Sequence, residues 1–274
     1  PPGFNRHAFW GQVRACRATW YSAVPSIHQM LLLGARGGRP AGAECLRFIR
    51  SCSSALAPAT MAAMEERFGA PVLEAYGMTE AAHQMATNPL PPRRRQPGSV
   101  GPGSNVEIGI MDKEGNLLPA GSAGEVVIRG RNVMSGYEDN PEANAASFTG
   151  GWFRTGDQGV LDAESYLTLI GRIKELIVRG GEKISPREID EVLASHPAVA
   201  EAATFGEAHP IYGEEVAAAV ALRAEATADE ILAFCRERLA EFKCPKKLYL
   251  VDKLPRTATG KIQRKAVAAS LGRQ

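Results

Sequence analysis

Apolar and polar positions alternate with different periods along the chain, and the changes of period mark its organisation. In the first 75 residues the pattern predicts a strand over 19–24, a helix over 26–33, a strand over 46–50 and a helix over 58–68. Pro58 opens that last helix and Gly69 closes it, and a short strand over 71–74 follows. Strands alternating with helices predict a parallel sheet. From Gly98 to Arg172 the period becomes that of antiparallel strands. Val106, Ile108 and Ile110 alternate with Glu107 and Gly109, residues 112–115 read as a hairpin turn, and strands over 125–129 and 166–170 continue the pattern. The rest predicts a helix over 186–195, strands over 199–205 and 216–222, a helix over 229–239, a strand over 247–251 and a basic helix from Lys261. The fold class is α/β: an α/β part over 1–97 with a β subdomain over 98–171, then a small α+β domain over 172–274.

Composition narrows the function classes. The 274 residues are 45% hydrophobic and 23% charged, a globular balance that argues against disorder. A net charge of +2 gives no basis for bulk nucleic-acid binding. No apolar run approaches the ~18 residues of a membrane span, and the start has neither a signal-peptide core nor a Met. Five cysteines (Cys16, Cys45, Cys52, Cys235, Cys244) form no C-x-x-C pair and read as reduced thiols. The end, Leu271-Gly272-Arg273-Gln274, is not a Ser-Lys-Leu-type address. The expectation is a cytoplasmic protein without nucleic-acid or membrane partners. Arg93-Arg94-Arg95, between proline pairs and turn residues, reads as a solvated loop.

Several familiar motifs fail. Gly260-Lys261 lacks the earlier glycine of a phosphate loop and has Ile262 where Ser or Thr should stand. Gly101-Pro102-Gly103-Ser104 fails the dinucleotide fingerprint because Val106 occupies its last glycine position. Neither H-E-x-x-H nor G-x-S-x-G occurs.

Four blocks carry candidate chemistry. Tyr76-Gly77-Met78-Thr79-Glu80 follows a predicted strand, where ligands of open α/β sheets bind. Tyr can stack on a purine, Thr can donate to a phosphate and Glu can hold a hard cation. Phe153-Arg154-Thr155-Gly156-Asp157 reads as a tight turn between strands, its Asp able to accept two ribose hydroxyls. Gly171-Arg172-Ile173-Lys174 with Arg179-Gly180-Gly181-Glu182-Lys183-Ile184-Ser185-Pro186 reads as a polar hinge and a close-approach glycine loop. Leu254-Pro255-Arg256-Thr257-Ala258-Thr259-Gly260-Lys261-Ile262 leaves a lysine on an exposed turn.

In this order and spacing the blocks resemble the adenylate-forming superfamily of acyl-CoA synthetases, carrier-protein adenylation domains and beetle luciferases. The resemblance runs through the whole chain. It looks closest to the oxalate-CoA ligases (oxalyl-CoA synthetases) of plants and fungi, on Ser51-Cys52-Ser53-Ser54-Ala55-Leu56-Ala57-Pro58, Thr79-Glu80-Ala81-Ala82-His83-Gln84-Met85 and the block at Arg179. It implies that residues 1–171 are the C-terminal part of an AMP-binding large domain and 172–274 a mobile C-terminal domain. It also implies ATP, Mg2+ and coenzyme A, with an acyl-adenylate formed first and a thioester second. The matching roles are Tyr76 and Gly77 at adenine, Thr79 at phosphate, Glu80 on magnesium, Asp157 on the ribose hydroxyls and Arg172 near the ribose. Lys261 would bridge acid and phosphate in the first transition state, worth on the order of 10²- to 10³-fold. Lys174 would be the hinge that exchanges Lys261 for Gly180-Gly181, which line the pantetheine channel.

The acid pocket is expected around Ser53, Ser54, Ala55, His83 and the Trp20-Tyr21 strand. Its hydroxyl and imidazole donors fit a small carboxylic acid with a second carboxylate, oxalate first, with His83 and Ser54 as contacts. The family's Ser/Thr/Gly-rich phosphate loop has no counterpart before Trp20, so the expectation is the C-terminal half of a ligase, inactive without its N-terminal half. Alternatives are a medium-chain or aryl acid-CoA ligase, transfer to a carrier protein, and a non-catalytic nucleotide- or acyl-binding module.

Overall fold

A computed structural model describes residues 4–35, 37–257 and 261–271. The chain divides into two compact units, Pro1–Leu169 and Ile170–Gln274.

The first unit begins with α1 (Phe9–Ala15), β1 (Trp20–Ala23), α2 (Pro25–Gly34), β2 (Phe48–Ser51), α3 (Pro58–Phe68), β3 (Val72–Met78) and β4 (His83–Thr87). The sheet order is β1-β2-β3-β4; the first three strands are parallel and β4 is antiparallel. In α3, Met61, Met64 and Phe68 recur on one face and are buried against Leu31, Ile49 and Val72. Each such side chain contributes about 1.5–3 kcal/mol on leaving water. Pro58 at the first turn and Gly69 in the left-handed conformation fix the ends of α3 where the sequence predicts them.

The third strand is longer than predicted. β3 runs through Tyr76 and Gly77 because β4 pairs with it, Gly77 opposite Gln84 and Met78 opposite His83. Tyr76 and Gly77 thus lie within a strand rather than after one. Arg95 also departs from expectation: it is drawn out of the solvated loop to pair with Glu65 and the Val72 carbonyl, whereas Arg94 stays exposed opposite Glu164.

The rest of the unit is a sheet of β5 (Glu107–Met111), β6 (Ala123–Arg129), β7 (Phe148–Thr149), β8 (Trp152–Leu161) and β9 (Leu167–Arg172), with α4 (Pro141–Ser147) before β7. Its order is β5-β6-β8-β7, with β9 on β8. Asn116 donates its backbone N–H to Asp112 Oδ1 at 2.8 Å, the Leu118 N–H donates to the Ile110 carbonyl at 2.7 Å and an antiparallel bridge pairs Met111 with Leu117, so the predicted hairpin turn exists, and β6 itself begins at Ala123. The ten-residue β8 has no counterpart in the predicted elements, because its centre, Arg154 to Gly159, breaks the apolar alternation.

The second unit contains β10 (Ile177–Arg179), β11 (Glu182–Ile184), α5 (Pro186–Ser195), β12 (Val199–His209), β13 (Gly213–Leu222), α6 (Ala228–Arg236), β14 (Lys247–Val251) and α7 (Arg264–Leu271). The order is β11-β10-β13-β12, with β14 parallel to β13. Period two on β13 builds two cores. Val216, Ala218 and Val220 pack with Ile189, Leu193 and Ile231 of α5 and α6, while Ala217 and Ala219 pack with Phe205 and with Val267 of α7. Thr227 and Glu230 cap α6 reciprocally. All five cysteines are free. Among the described residues no helix is long and apolar enough to cross a membrane.

Candidate functional site

In the first unit the Tyr76 hydroxyl donates to Asp157 Oδ2, joining buried side chains 81 residues apart. Asp157 does not sit in the predicted tight turn. It lies within β8, where the pairing with β6 shifts register between Glu125 and Val127 and leaves an irregularity at residues 155–157. The Thr155 hydroxyl donates to the Val126 carbonyl at 2.7 Å and the Gly156 N–H to Glu125 Oε1 at 3.0 Å, which hold that irregularity in place. Residues that carry a bulge cannot alternate cleanly, so periodicity reads them as a turn.

Thr79 and Glu80 occupy the single 3-10 turn Thr79–Ala81 that joins β3 to β4, Thr79 exposed and Glu80 half-buried. A loop that sequence reasoning passed over braces it. The Met134 N–H donates to the Glu80 carbonyl at 2.8 Å, Asn132 Nδ2 to the Ala81 carbonyl at 2.9 Å, and the Tyr137 hydroxyl to Glu80 Oε1 at 3.0 Å. Burial and then the hydrogen bond to Glu80 push the Tyr137 hydroxyl above its ordinary pKa, so it stays protonated as a donor. Tyr137 stands in an aperiodic polar loop, and no local signal marks it.

Gly77 allows the turn to close. A Cβ there would lie 1.6 Å from the His83 carbonyl oxygen. The chain then passes through Ala82 (φ 48) and His83 (φ 82), two consecutive left-handed residues that are not glycine, and Ser53 beside β2 has φ 69. Such conformations cost about 1–3 kcal/mol each and persist only where the surroundings impose them.

Around these strained residues lies a polar string. Arg50 of β2 donates through Nη1 to Ser22 Oγ at 3.1 Å, and its Nη2 is 3.3 Å from His83 Nδ1. Ser22 Oγ lies 3.5 Å from Cys52 Sγ, which the Ser53 hydroxyl reaches at 3.7 Å. His83 and Ser53 are therefore linked through Arg50, Ser22 and Cys52, whereas Ser54 and Ala55 lie in the loop before α3 and Ser54 is exposed without a hydrogen bond among the described residues.

In the second unit Arg172 and Lys174 are exposed, Lys174 in the 3-10 turn Ile173–Glu175. Gly180-Gly181 is the two-residue turn of the β10–β11 hairpin, with φ 57 and 93, a geometry that favours glycine at both positions. The glycine loop is thus a hairpin turn. Lys261 is exposed; its N–H donates to Thr257 Oγ1 at 3.1 Å and the Thr257 N–H donates to the Lys261 carbonyl at 2.8 Å. Ala258, Thr259 and Gly260 of that block lie outside the described residues. Just beyond it, Arg264 Nη1 is 2.9 Å from Asp190 Oδ2 and its Nε 3.2 Å from Glu175 Oε2.

Known proteins give this geometry a family. The model of the AMP-binding enzyme matches residues 1–138, and that of the AMP-binding enzyme C-terminal domain matches residues 188–261. The chain is 55% identical to a probable CoA ligase of Humulus lupulus, over 97% of this chain and 51% of the relative. It is 50% identical to an oxalate–CoA ligase of Saccharomyces cerevisiae, over 100% of this chain and 50% of the relative. It is 43% identical to a sulfoacetate–CoA ligase of Cupriavidus necator, over 96% and 52%. The crystal structure of ATP-bound MatB from Rhodopseudomonas palustris superposes with a TM-score of 0.91 at 33% identity, covering 99% of this chain and 54% of that one. The O-succinylbenzoate coenzyme A synthetase of Bacillus subtilis with ATP and magnesium ion gives 0.85 at 34% identity, over 96% and 54%. The chain thus spans about half the length of the relatives it matches.

Proposed function

The chain belongs to the AMP-binding enzyme family, and from that premise we propose that the protein carrying it is an AMP-forming acid–CoA ligase acting on a small carboxylic acid, oxalate first. The observation that carries the reading is the Tyr76–Asp157 hydrogen bond beside the Thr79–Ala81 turn. It supports a nucleoside site with an aromatic plane and a carboxylate already oriented, where reorganisation on binding is small.

In the first half-reaction the acid carboxylate attacks the ATP α-phosphorus and pyrophosphate leaves. In the second the CoA thiol attacks the acyl carbon and AMP leaves. Asp157 holds the ribose hydroxyls, Tyr76 and Gly77 border adenine, Thr79 donates to phosphate and Lys261 offsets charge on the acid and phosphate oxygens. Glu80, its Oε1 fixed by Tyr137, fits Mg2+, which takes one or two protein carboxylates and completes its shell with phosphate oxygens and water. When bound, that ion neutralises phosphate charge. The second unit would swing about Lys174, exchanging Lys261 for Gly180-Gly181.

Oxalate is favoured because the polar string from Ser53 to His83 offers donors that an alkyl or aryl acid would leave unpaired. The names of the relatives point the same way, since oxalate and sulfoacetate each carry two acidic groups. The test is pyrophosphate release by the complete enzyme with oxalate, malonate, acetate, coumarate and octanoate. Oxalate is expected to lead. Coumarate or octanoate ahead by tenfold ends the oxalate reading, and no AMP with any acid and CoA ends the ligase reading.

A further inference from the structure

Arg50 is half-buried in the first sheet, on the face of β2 that it shares with Ser22 of β1. Several other partly buried arginines have carboxylate partners, Arg95 with Glu65, Arg154 with Glu125, Arg179 with Glu215 and Arg264 with Asp190, whereas Arg67 donates to the Ala35 carbonyl. Arg50 has no carboxylate partner among the described residues; its neighbours are a hydroxyl and an imidazole. Its Nε is shut from solvent and has no hydrogen-bond partner. A guanidinium stays charged, and its Nη contacts with Ser22 and His83 are exposed, so an anionic group from solution can reach it.

The contact with His83 fixes a tautomer. Arginine only donates, so Nδ1 accepts from Nη2 and the ring proton sits on Nε2. The pair therefore presents a permanent positive charge beside a directed N–H donor. The strained turn at Ala82 and His83 holds that imidazole against the guanidinium.

We propose that Arg50 is the specificity determinant for the far end of the acid: it binds the second carboxylate, with His83 and Ser22 as the residues that position it. This rests on the ligase reading above and deepens it. A planar guanidinium matches a planar carboxylate with two parallel hydrogen bonds, and a monocarboxylate would leave the charge uncompensated. Discrimination therefore comes from penalising the wrong acid as well as from attracting the right one.

The experiment measures kcat/KM of the complete enzyme for two matched pairs, oxalate against acetate and malonate against propionate, in wild type, Arg50→Met and Arg50→Lys. Arg50→Met is expected to lower the dicarboxylate-to-monocarboxylate ratio about 30-fold or more, chiefly through KM. Arg50→Lys is expected to restore part of it, because charge returns without the two-pronged geometry. A thermal midpoint for Arg50→Met at or above wild type is also expected, since an unpartnered donor is removed. If wild type prefers a dicarboxylate and Arg50→Met changes the ratio less than threefold, the Arg50 proposal falls while the ligase reading stands. If malonate leads and its ratio collapses in Arg50→Met, oxalate falls and Arg50 stands. A wild-type preference for a monocarboxylate overturns both.

Discussion

Replacing Gly77 by Ala tests whether the turn that carries Thr79 and Glu80 depends on close backbone approach. The added Cβ would meet the His83 carbonyl oxygen at 1.6 Å and its carbon at 2.6 Å, so β4 must retreat by about 2 Å to regain an ordinary contact. Backbone rather than the end of a flexible side chain has to move. Retreat disrupts the Gly77–Gln84 and Met78–His83 pairings, and overpacking adds to the loss, giving about 3 kcal/mol or more. For a unit of this size that corresponds to a fall of about 6–12 °C in the thermal midpoint. Gly180→Ala is the matched control. It places Ala at φ 57 with Tyr212 Cδ1 at 3.5 Å, an allowed contact, so only left-handed strain of about 1–2 kcal/mol is added. Calorimetry of both variants, followed with near-ultraviolet circular dichroism, reads the difference. A Gly77→Ala midpoint within 2 °C of wild type, or a loss of unfolding free energy no larger than that of Gly180→Ala, would refute the argument.

Two further perturbations probe buried ionisable groups. His28 is fully buried, and desolvation lowers its imidazole to about 4, the Ala23 backbone opposing that shift. A depressed histidine pKa means the unfolded chain binds more protons between about 4 and 6.5. Stability is therefore expected to fall by about 3 kcal/mol as pH drops through that window, and His28→Leu to flatten the profile; parallel pH profiles for the two proteins in urea melts would contradict this. In the second unit, burial raises the Asp190 carboxyl above its ordinary range while Arg264 acts against it. Arg264→Met should cost about 3–5 kcal/mol by leaving that carboxylate without its counter-charge. Adding Asp190→Asn should recover much of the loss, and strict additivity in the double-mutant cycle would argue that the pair does not couple.

What could be read from the chain depended on whether a signal was local. The predicted bounds of α3, α5 and β14 coincide with those observed, because proline at the first turn or a clean apolar run defines each one. β8 was illegible for the opposite reason: its centre carries Arg154, Thr155, Gly156 and Asp157, and the irregularity that aims Asp157 at Tyr76 is what removes the period. β4 escaped because Ala82 and His83 turn the chain in left-handed conformations without a glycine to announce them. Of the site, the motif blocks were legible as blocks, and their contacts were not. Arg50 reads in sequence as the polar end of a predicted strand over 46–50, and its meaning comes from β1 and the turn before β4.

The sheet also separates two kinds of recognition. Period two along β3 puts Val72, Glu74 and Tyr76 on one face and Leu73, Ala75 and Gly77 on the other, and Leu73 is the register partner of Arg50. Tyr76 thus meets Asp157 on the face opposite the one that carries Arg50 and Ser22. Ser53 leaves the end of β2, and Ala82 and His83 follow the end of β3, so all three strained residues gather beyond the carboxyl ends of parallel strands. Ligands of open α/β sheets bind there. Relaxing the strain at Ala82 and His83 would slide His83 off Arg50 and release the β4 register that confines the Thr79–Ala81 turn. On the proposed function, the nucleotide side and the acid side would therefore be coupled through one backbone reversal, whose closure requires the absence of a side chain at Gly77.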